Sequence, residues 1–287
     1  MSSPPDFLPT RAAALARLEE FLPDAGRYAA DRNFVRPGHP NTSRLSPWVQ
    51  KRLLLEEEVI AAARERWSFE SVEKFVQEVY WRTYWKGWLE QRPEAWSRWV
   101  EAVPRLRDAL SAEQRSTLEA ALAGRTGIAG FDDWAHELVA TGYLHNHARM
   151  WFASIWIFTL RLPWELGAAF FYEHLLDGDV ASNTLSWRWV AGLQTPGKTY
   201  VARADNIAHY TDGVHAPEAG RLASAPFAIK EDPLPKVAAW TEDAAQVATL
   251  KTYERLGLWV HPEDLAVEQG ELAGLKIQGV NASWLTG

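Results

Sequence analysis

The sequence has no cysteine and only two methionines in 287 residues. Without a thiol there is no disulfide framework, thiolate metal site or iron–sulfur cluster, and the redox compartment is left open. Long hydrophobic runs are missing as well: the longest uncharged apolar stretch, residues 150–160, is about half of what a bilayer crossing needs. The opening Met-Ser-Ser-Pro-Pro-Asp lacks the basic and apolar regions of a signal peptide. A soluble, cytoplasmic protein without a membrane partner is therefore expected. Positive charge is not in excess, since the formal net charge is −7, which argues against a general polyanion binder. The deficit is uneven, however. Residues up to Tyr210 carry 24 basic against 26 acidic side chains, whereas those from Thr211 onward carry 6 against 11. A local basic groove within the first 210 residues is compatible with this distribution.

Apolar material is plentiful, with 47% hydrophobic residues and 16 tryptophans. A chain of this length can bury a large core. Apolar residues recur at helical spacing through most of it, and few stretches alternate with a period of two. Leu15, Leu18 and Leu22 predict a helix over residues 11–22 that Pro23 ends. Ser46 and Pro47 read as an N-cap and first helical residue, predicting a helix over 48–66. Further helices are predicted over 68–91, 94–103, 111–123, 131–141, 144–159 and 164–176. There is no internal repeat and no low-complexity segment. After about Thr195 glycine and proline rise and periodicity fades. The expected fold class is all-α, with a helical domain over 1–210 and a loop-rich appendage over 211–287 packed on it.

Three short patterns point to chemistry that their context refuses. Gly192-Leu-Gln-Thr-Pro-Gly197-Lys198-Thr199 satisfies the phosphate-loop pattern. Such a loop must leave a buried strand, and Trp187-Arg-Trp-Val-Ala191 is not one, so a surface turn is expected. His145 and His147 are two apart and would point to different sides of a helix. Asp177-Gly-Asp179 resembles the start of a calcium loop, but Ala181 stands at the third ligand position. No metal site is expected.

Polar residues embedded among tryptophans stand out. Glu78 and Arg82 are four apart on one predicted helix, and Asn146 and Arg149 are three apart on another. Buried charges need partners. Glu78 and Arg82 alone could equally form an ordinary intrahelical pair.

The ordered segments resemble the FAD-binding domain of the cryptochrome/photolyase family. Thr42-Ser43-Arg44-Leu45-Ser46-Pro47 resembles its phosphate-side signature. Phe75-Val-Gln-Glu78-Val-Tyr-Trp81-Arg82 is similar to its helix ending in Trp-Arg. Gly124-Arg-Thr-Gly127 with Thr141-Gly-Tyr-Leu-His145-Asn146-His147-Ala-Arg149-Met150 resembles its "G-K-T-G … T-G-W-M-H-N-R-L-R-M" block, with His147 in place of arginine. Leu176-Asp177-Gly178-Asp179-Val-Ala-Ser-Asn183 with Trp187 and Trp189 resembles "D-G-D-x-A-x-N … W-x-W". The match spans about 11–210. The family's N-terminal α/β antenna domain has no counterpart, Phe75 replaces a frequent tryptophan, and residues after Tyr210 have no match.

The resemblance implies FAD as cofactor, contacted by Tyr28, Thr42, Ser43, Arg44, Leu45, Ser46, Arg82, Asn146, Arg149, Asp177, Gly178, Asp179 and Asn183. Hydroxyls, amides and a helix N-terminus after Pro47 suit a pyrophosphate, although Ser46 by itself could be a simple cap. Asn183 matches the position facing the flavin N5, where an amide can donate and accept; alone it could be a loop residue. The implied activity is that of a deoxyribodipyrimidine photo-lyase, a carbon–carbon lyase that splits cyclobutane pyrimidine dimers by single-electron transfer, with a cryptochrome-like light sensor as the alternative. Glu78 and Asn183 would be catalytic, and Trp187 and Trp164 would relay electrons; near Ser111 no tryptophan provides the third relay member. Damaged DNA would be the partner, met by Arg32, Glu78, Trp81, Asn146, His147, Met150 and Trp189. A separate antenna or signalling protein is a compatible second partner. Asn146 and Met150 stand where (6-4) enzymes carry histidines, which favours the cyclobutane dimer. His147 is expected to turn about a quarter-circle away from Asn146.

Overall fold

The structure, a computed structural model, describes residues 7–195, 197–218 and 220–235, together with 237, 256–260, 263–265, 269 and 277–282. Its described residues are overwhelmingly helical. The order is α1 (Arg11–Phe21), α2 (Tyr28–Asp31), α3 (Ser46–Gln50), α4 (Glu56–Arg66), α5 (Phe69–Glu90), α6 (Glu94–Asp108) and α7 (Ala112–Leu122). It continues with α8 (Phe131–Thr141), α9 (Asn146–Ser154), α10 (Trp164–His174), α11 (Val180–Val190) and α12 (Ala204–Tyr210). Two short strands, β1 (Leu256–Val260) and β2 (Ile277–Ala282), pair in parallel in the tail.

Local chemistry explains most boundaries. Thr10 caps α1 by accepting the Ala13 N–H at 3.2 Å, and Pro23 turns the chain into a 3₁₀ segment, Leu22–Arg27. Ser111 and Gln114 form a reciprocal capping box on α7. The helix expected over 48–66 is instead two helices. Arg52 adopts a left-handed φ of 52°, and the break lets Leu54 and Leu55 turn into the core. Glu56, Glu57 and Glu58 then fill the first turn of α4, where negative charge suits the helix dipole. Ser46 is the first residue of α3 and not its cap, a position held by Leu45. The 144–159 segment begins at Asn146 and ends in a wider π turn over Ile155–Thr159.

Helix α11 carries no amphipathic signal because it has almost no solvent face. Ala181, Leu185, Trp187 and Val190 are buried, and so are Asn183, Thr184 and Arg188. Asp179 starts it by accepting the Ser182 N–H at 2.7 Å. Gly167 on α10 makes room for it: a Cβ there would lie 2.3 Å from the Trp187 ring.

Two apolar clusters form the core. One gathers Trp134, Trp151, Trp156, Phe171 and Trp187 from α8 to α11. The other gathers Phe21, Trp48, Val59, Val72 and Phe75 from α1, α3, α4 and α5. Beyond Tyr210, the described tail straps the first cluster. Phe227 packs on Phe158 with ring centroids 5.4 Å apart. Glu231 takes both Nη atoms of buried Arg188 at 2.6 Å, and Arg98 donates to the Asp232 carbonyl at 2.6 Å. Farther on, Asp264 pairs with Arg52 at 2.9 Å. No helix among the described residues is long and apolar enough to cross a membrane.

Candidate functional site

A cavity of about 710 Å³ opens between the two clusters, lined by α5, α9, α11, the turn before α3 and the loop before α11. Its floor is charged and buried. Arg149 on α9 donates to Asp177 at 3.0 Å, and its Nε donates to the Leu144 carbonyl at 2.7 Å. Burial pushes the Asp177 carboxyl up, but the charge and hydrogen bond of Arg149, the charge of Arg82 and a hydrogen bond from Ser46 outweigh it, so the net shift is downward. Asp177 is thus a carboxylate paired with Arg149, with the charge of Arg82 nearby. Arg82 lies 3.6 Å from Asp179, which Lys86 also approaches at 3.8 Å. The intrahelical Glu78–Arg82 pair is therefore not the arrangement adopted: the two side chains serve different partners. Asn183, buried on α11, donates to the Ala168 carbonyl at 2.8 Å, which fixes its amide.

The turn over 42–46 is held from outside the cavity. Arg17 on α1 donates to the carbonyls of Ser43 at 2.8 Å and Thr42 at 3.0 Å. Arg44 takes a left-handed φ of 57°, and its guanidinium lies over Phe7 and Tyr143. Thr42, Ser43, Arg44, Leu45 and Ser46 all line the cavity. The helix that follows is only five residues long. The dipole expected at its start is correspondingly small, and hydroxyls and backbone groups of the turn are what it offers.

The opposite side is aromatic and open. Trp81 and Tyr84 are 48% and 52% exposed yet line the cavity with Trp85, Met150 and Trp189. Trp81 stacks on Trp85 with centroids 5.5 Å apart. Tyr28, Arg32 and Glu78 line the same region. Arg32, expected to meet damaged DNA, donates to Glu78 at 2.9 Å. Burial raises the Glu78 pKa and Arg32 opposes the rise. Burial likewise raises the Tyr28 hydroxyl. His147 lines the cavity together with Asn146, and its N–H donates to Nδ1 of His145, the residue before α9, at 3.1 Å.

Three predicted site residues lie outside the lining. Gly178 sits in a tight turn where a Cβ would be 2.9 Å from the Leu175 carbonyl oxygen. Asp179 caps α11 and reaches the site through Arg82. Trp164, buried at the start of α10, has Arg188 5.9 Å from its ring centre. Among the described residues the ring neighbours of Trp187 are Phe152, Trp156 and Phe171, and Trp164 is not one of them. The stretch resembling a phosphate loop leaves α11 as a run of turns, with Gln194 and Thr195 at the cavity rim. Tyr143, Tyr84, Trp85 and Ser182 were not anticipated. The recurrence of aromatic residues at 81, 85 and 88, beside Arg82, was the available signal for the α5 face.

The chemistry of this lining suits a large organic group with polar edges. Arg82 Nη1, Asp177 Oδ1 and Ser182 Oγ are buried without a hydrogen-bond partner among the described residues, and all three side chains line the cavity. Donors and an acceptor left unmatched in a 710 Å³ space are what a bound polar group satisfies.

Residues 75–213 match the family model described as the FAD binding domain of DNA photolyase. The chain is 34% identical over 181 residues to the deoxyribodipyrimidine photo-lyase of Streptomyces griseus, covering 58% of this chain and 38% of that protein. It is 35% identical over 199 residues to a deoxyribodipyrimidine photo-lyase of Thermus thermophilus, covering 67% of this chain and 45% of that protein. A bacterial class III photolyase from Agrobacterium tumefaciens superposes with a TM-score of 0.58 at 26% identity, over 70% of this chain and 45% of that one. The chain thus spans less than half the length of these relatives.

Proposed function

Because residues 75–213 match the family model described as the FAD binding domain of DNA photolyase, we propose that the cavity holds FAD and that the protein repairs cyclobutane pyrimidine dimers in DNA with light. Bound FAD, when reduced and excited, supplies the single electron that the dimer accepts and gives back as its ring opens. The protein's part is to bind, orient and exclude water. Arg149, Asp177 and Arg82 hold the polar edges of the cofactor, and the 42–46 turn meets its phosphates. Asn183, oriented by its bond to Ala168, presents its amide oxygen to the ring. Trp81, Met150 and Trp189 form apolar walls for a flipped-out lesion, whose unstacking is less costly than that of an intact pair. Glu78, whose burial favours the proton-bearing form, and Asn146 hydrogen-bond the base carbonyls.

One observation carries this reading: a buried floor with unmatched Arg82 and Asp177 atoms shares one cavity with the half-exposed Trp81 face. The test is to purify the protein with its flavin, reduce it, and illuminate it with short single strands bearing a cyclobutane dimer or a (6-4) product. Restoration of the cyclobutane strand is expected. Repair of the (6-4) strand alone overturns the substrate. Repair of neither by a flavin-loaded protein assigns the chain to light sensing.

A further inference from the structure

His147 stands where the block this chain resembles has arginine, and its surroundings define what it can do. Its Nδ1 lies 3.0 Å from the Asn33 carbonyl oxygen. A carbonyl only accepts, so Nδ1 carries the proton. The neutral ring then keeps a lone pair on Nε2. The ring itself is packed on Trp151 at 4.5 Å and on Tyr210 at 5.1 Å between centroids. With the faces packed and the Nδ1 edge occupied, the edge left to line the cavity is the one bearing Nε2. Burial keeps the ring neutral by lowering its pKa; the Asn33 bond opposes this, and the Arg32 charge adds to it. The nearby cavity wall otherwise presents the Asn146 amide, Arg32 and a Glu78 already engaged by Arg32. His147 is thus an acceptor without a protein donor among the described residues, fixed in direction by two aromatic neighbours.

We propose that His147 determines specificity in the lesion site, its Nε2 accepting the imide N3–H of a thymine or uracil ring and disfavouring a cytosine ring, whose N3 is itself an acceptor. This rests on the reading of the cavity mouth as the place of the lesion. Flavin carries an imide N–H too, so the same chemistry has a second source. The outer position of His147, bonded to the half-exposed Asn33 and near the half-exposed Arg32, selects the base.

The experiment measures affinity by fluorescence anisotropy, using flavin-loaded wild type, His147→Phe and His147→Gln. The probes are a short single strand with a thymine dimer and the same strand methylated at the dimer N3 positions. Methylation should weaken wild type about tenfold, about 1.4 kcal/mol, as an unmade buried hydrogen bond does. His147→Phe should weaken the unmodified strand comparably, and methylation should then add nothing. His147→Gln, which keeps an acceptor, should retain more affinity than His147→Phe. A wild type indifferent to methylation, or a phenylalanine variant still penalised by it, overturns this inference alone. A wild type that cannot tell damaged from undamaged strand overturns the lesion reading with it. Weakened flavin retention or a shifted flavin absorption in His147→Phe, with lesion affinity intact, assigns the acceptor to the flavin and also overturns the proposal. The methylated probe keeps the question answerable even if a variant folds poorly.

Discussion

At the floor of the cavity Asp177 is enclosed by Arg149, Arg82 and Ser46 and is buried; at the mouth Trp81 and Tyr84 leave about half of their surface in solvent. The floor is built from charges whose partners are other charges of the same protein, so each is needed for the fold as well as for any ligand. The mouth is built from rings that pack on one another and have little to lose from exposure. Substitutions at the floor should therefore damage the protein and its cofactor together, whereas substitutions at the mouth should separate ligand binding from stability.

The largest effect is expected at the floor. Asp177→Asn removes the carboxylate partner of Arg149, while Arg82 keeps Asp179, a loss toward the lower end of roughly 3–5 kcal/mol. Chemical denaturation should show that loss, and the purified variant should be colourless. Near-normal stability with full flavin content would show that the floor is not an electrostatic unit.

Acid should find the same weakness. His145 is buried beside the floor, and burial, then the charges of His39, His147 and Arg149, lower its pKa to about 3. In the unfolded chain it takes a proton near pH 6.5, and in the folded protein only near pH 3, so its contribution is lost as pH falls through that window. The slope approaches about 1.4 kcal/mol per pH unit. His145→Asn should flatten the stability profile between about pH 6 and pH 4; an unchanged slope would refute the assignment. Glu78, raised by burial, contributes with the opposite sign, its share present in acid and lost as pH rises through its folded value.

At the mouth, Trp81→Ala should cost about 1–3 kcal/mol of lesion affinity through lost stacking while changing stability by less than about 0.5 kcal/mol. Equal losses in both would erase the contrast between the two regions. Arg32→Ala should be gentler. Its guanidinium is already engaged by Glu78, so lesion binding should weaken modestly, with the salt dependence falling by at most about one phosphate contact. The flavin should stay bound. Trp187→Phe keeps an aromatic ring against Phe171 and Trp156 but leaves a void in a buried site, so its effect is read on the electron path and not on lesion affinity. It should leave flavin content intact and slow photoreduction; an unchanged rate would exclude this ring from electron supply.

Much of the fold is legible in local sequence. Thr10, Pro23 and the Ser111–Gln114 box act over one helical turn, so the ends of α1 and the start of α7 follow from neighbouring residues. The ordered motifs placed Thr42 to Ser46, Arg82, Asn146, Arg149, Asp177 and Asn183 in one site, and the cavity gathers them. The break at Arg52 was missed because it is decided by where Leu54 and Leu55 are buried. Helix α11 escaped detection because burial all round erases the periodicity that marks a helix. The use of Arg32, Glu78 and His147 was also hidden, since each is set by a partner distant in sequence: Glu78 for Arg32 and Asn33 for His147.

By itself the sequence determined the helical class, the order of the motifs and the residue types that can hold a polar cofactor, because composition, capping and spacing are local properties. Only the tertiary structure decided which charge answers which. That Arg82 turns to Asp179 and not Glu78, that Arg188 waits for Glu231 from the tail, and that His147 shows the cavity an acceptor are outcomes of burial. A charge or a lone pair removed from water takes whichever partner the packing brings near, and packing brings together residues far apart in the chain.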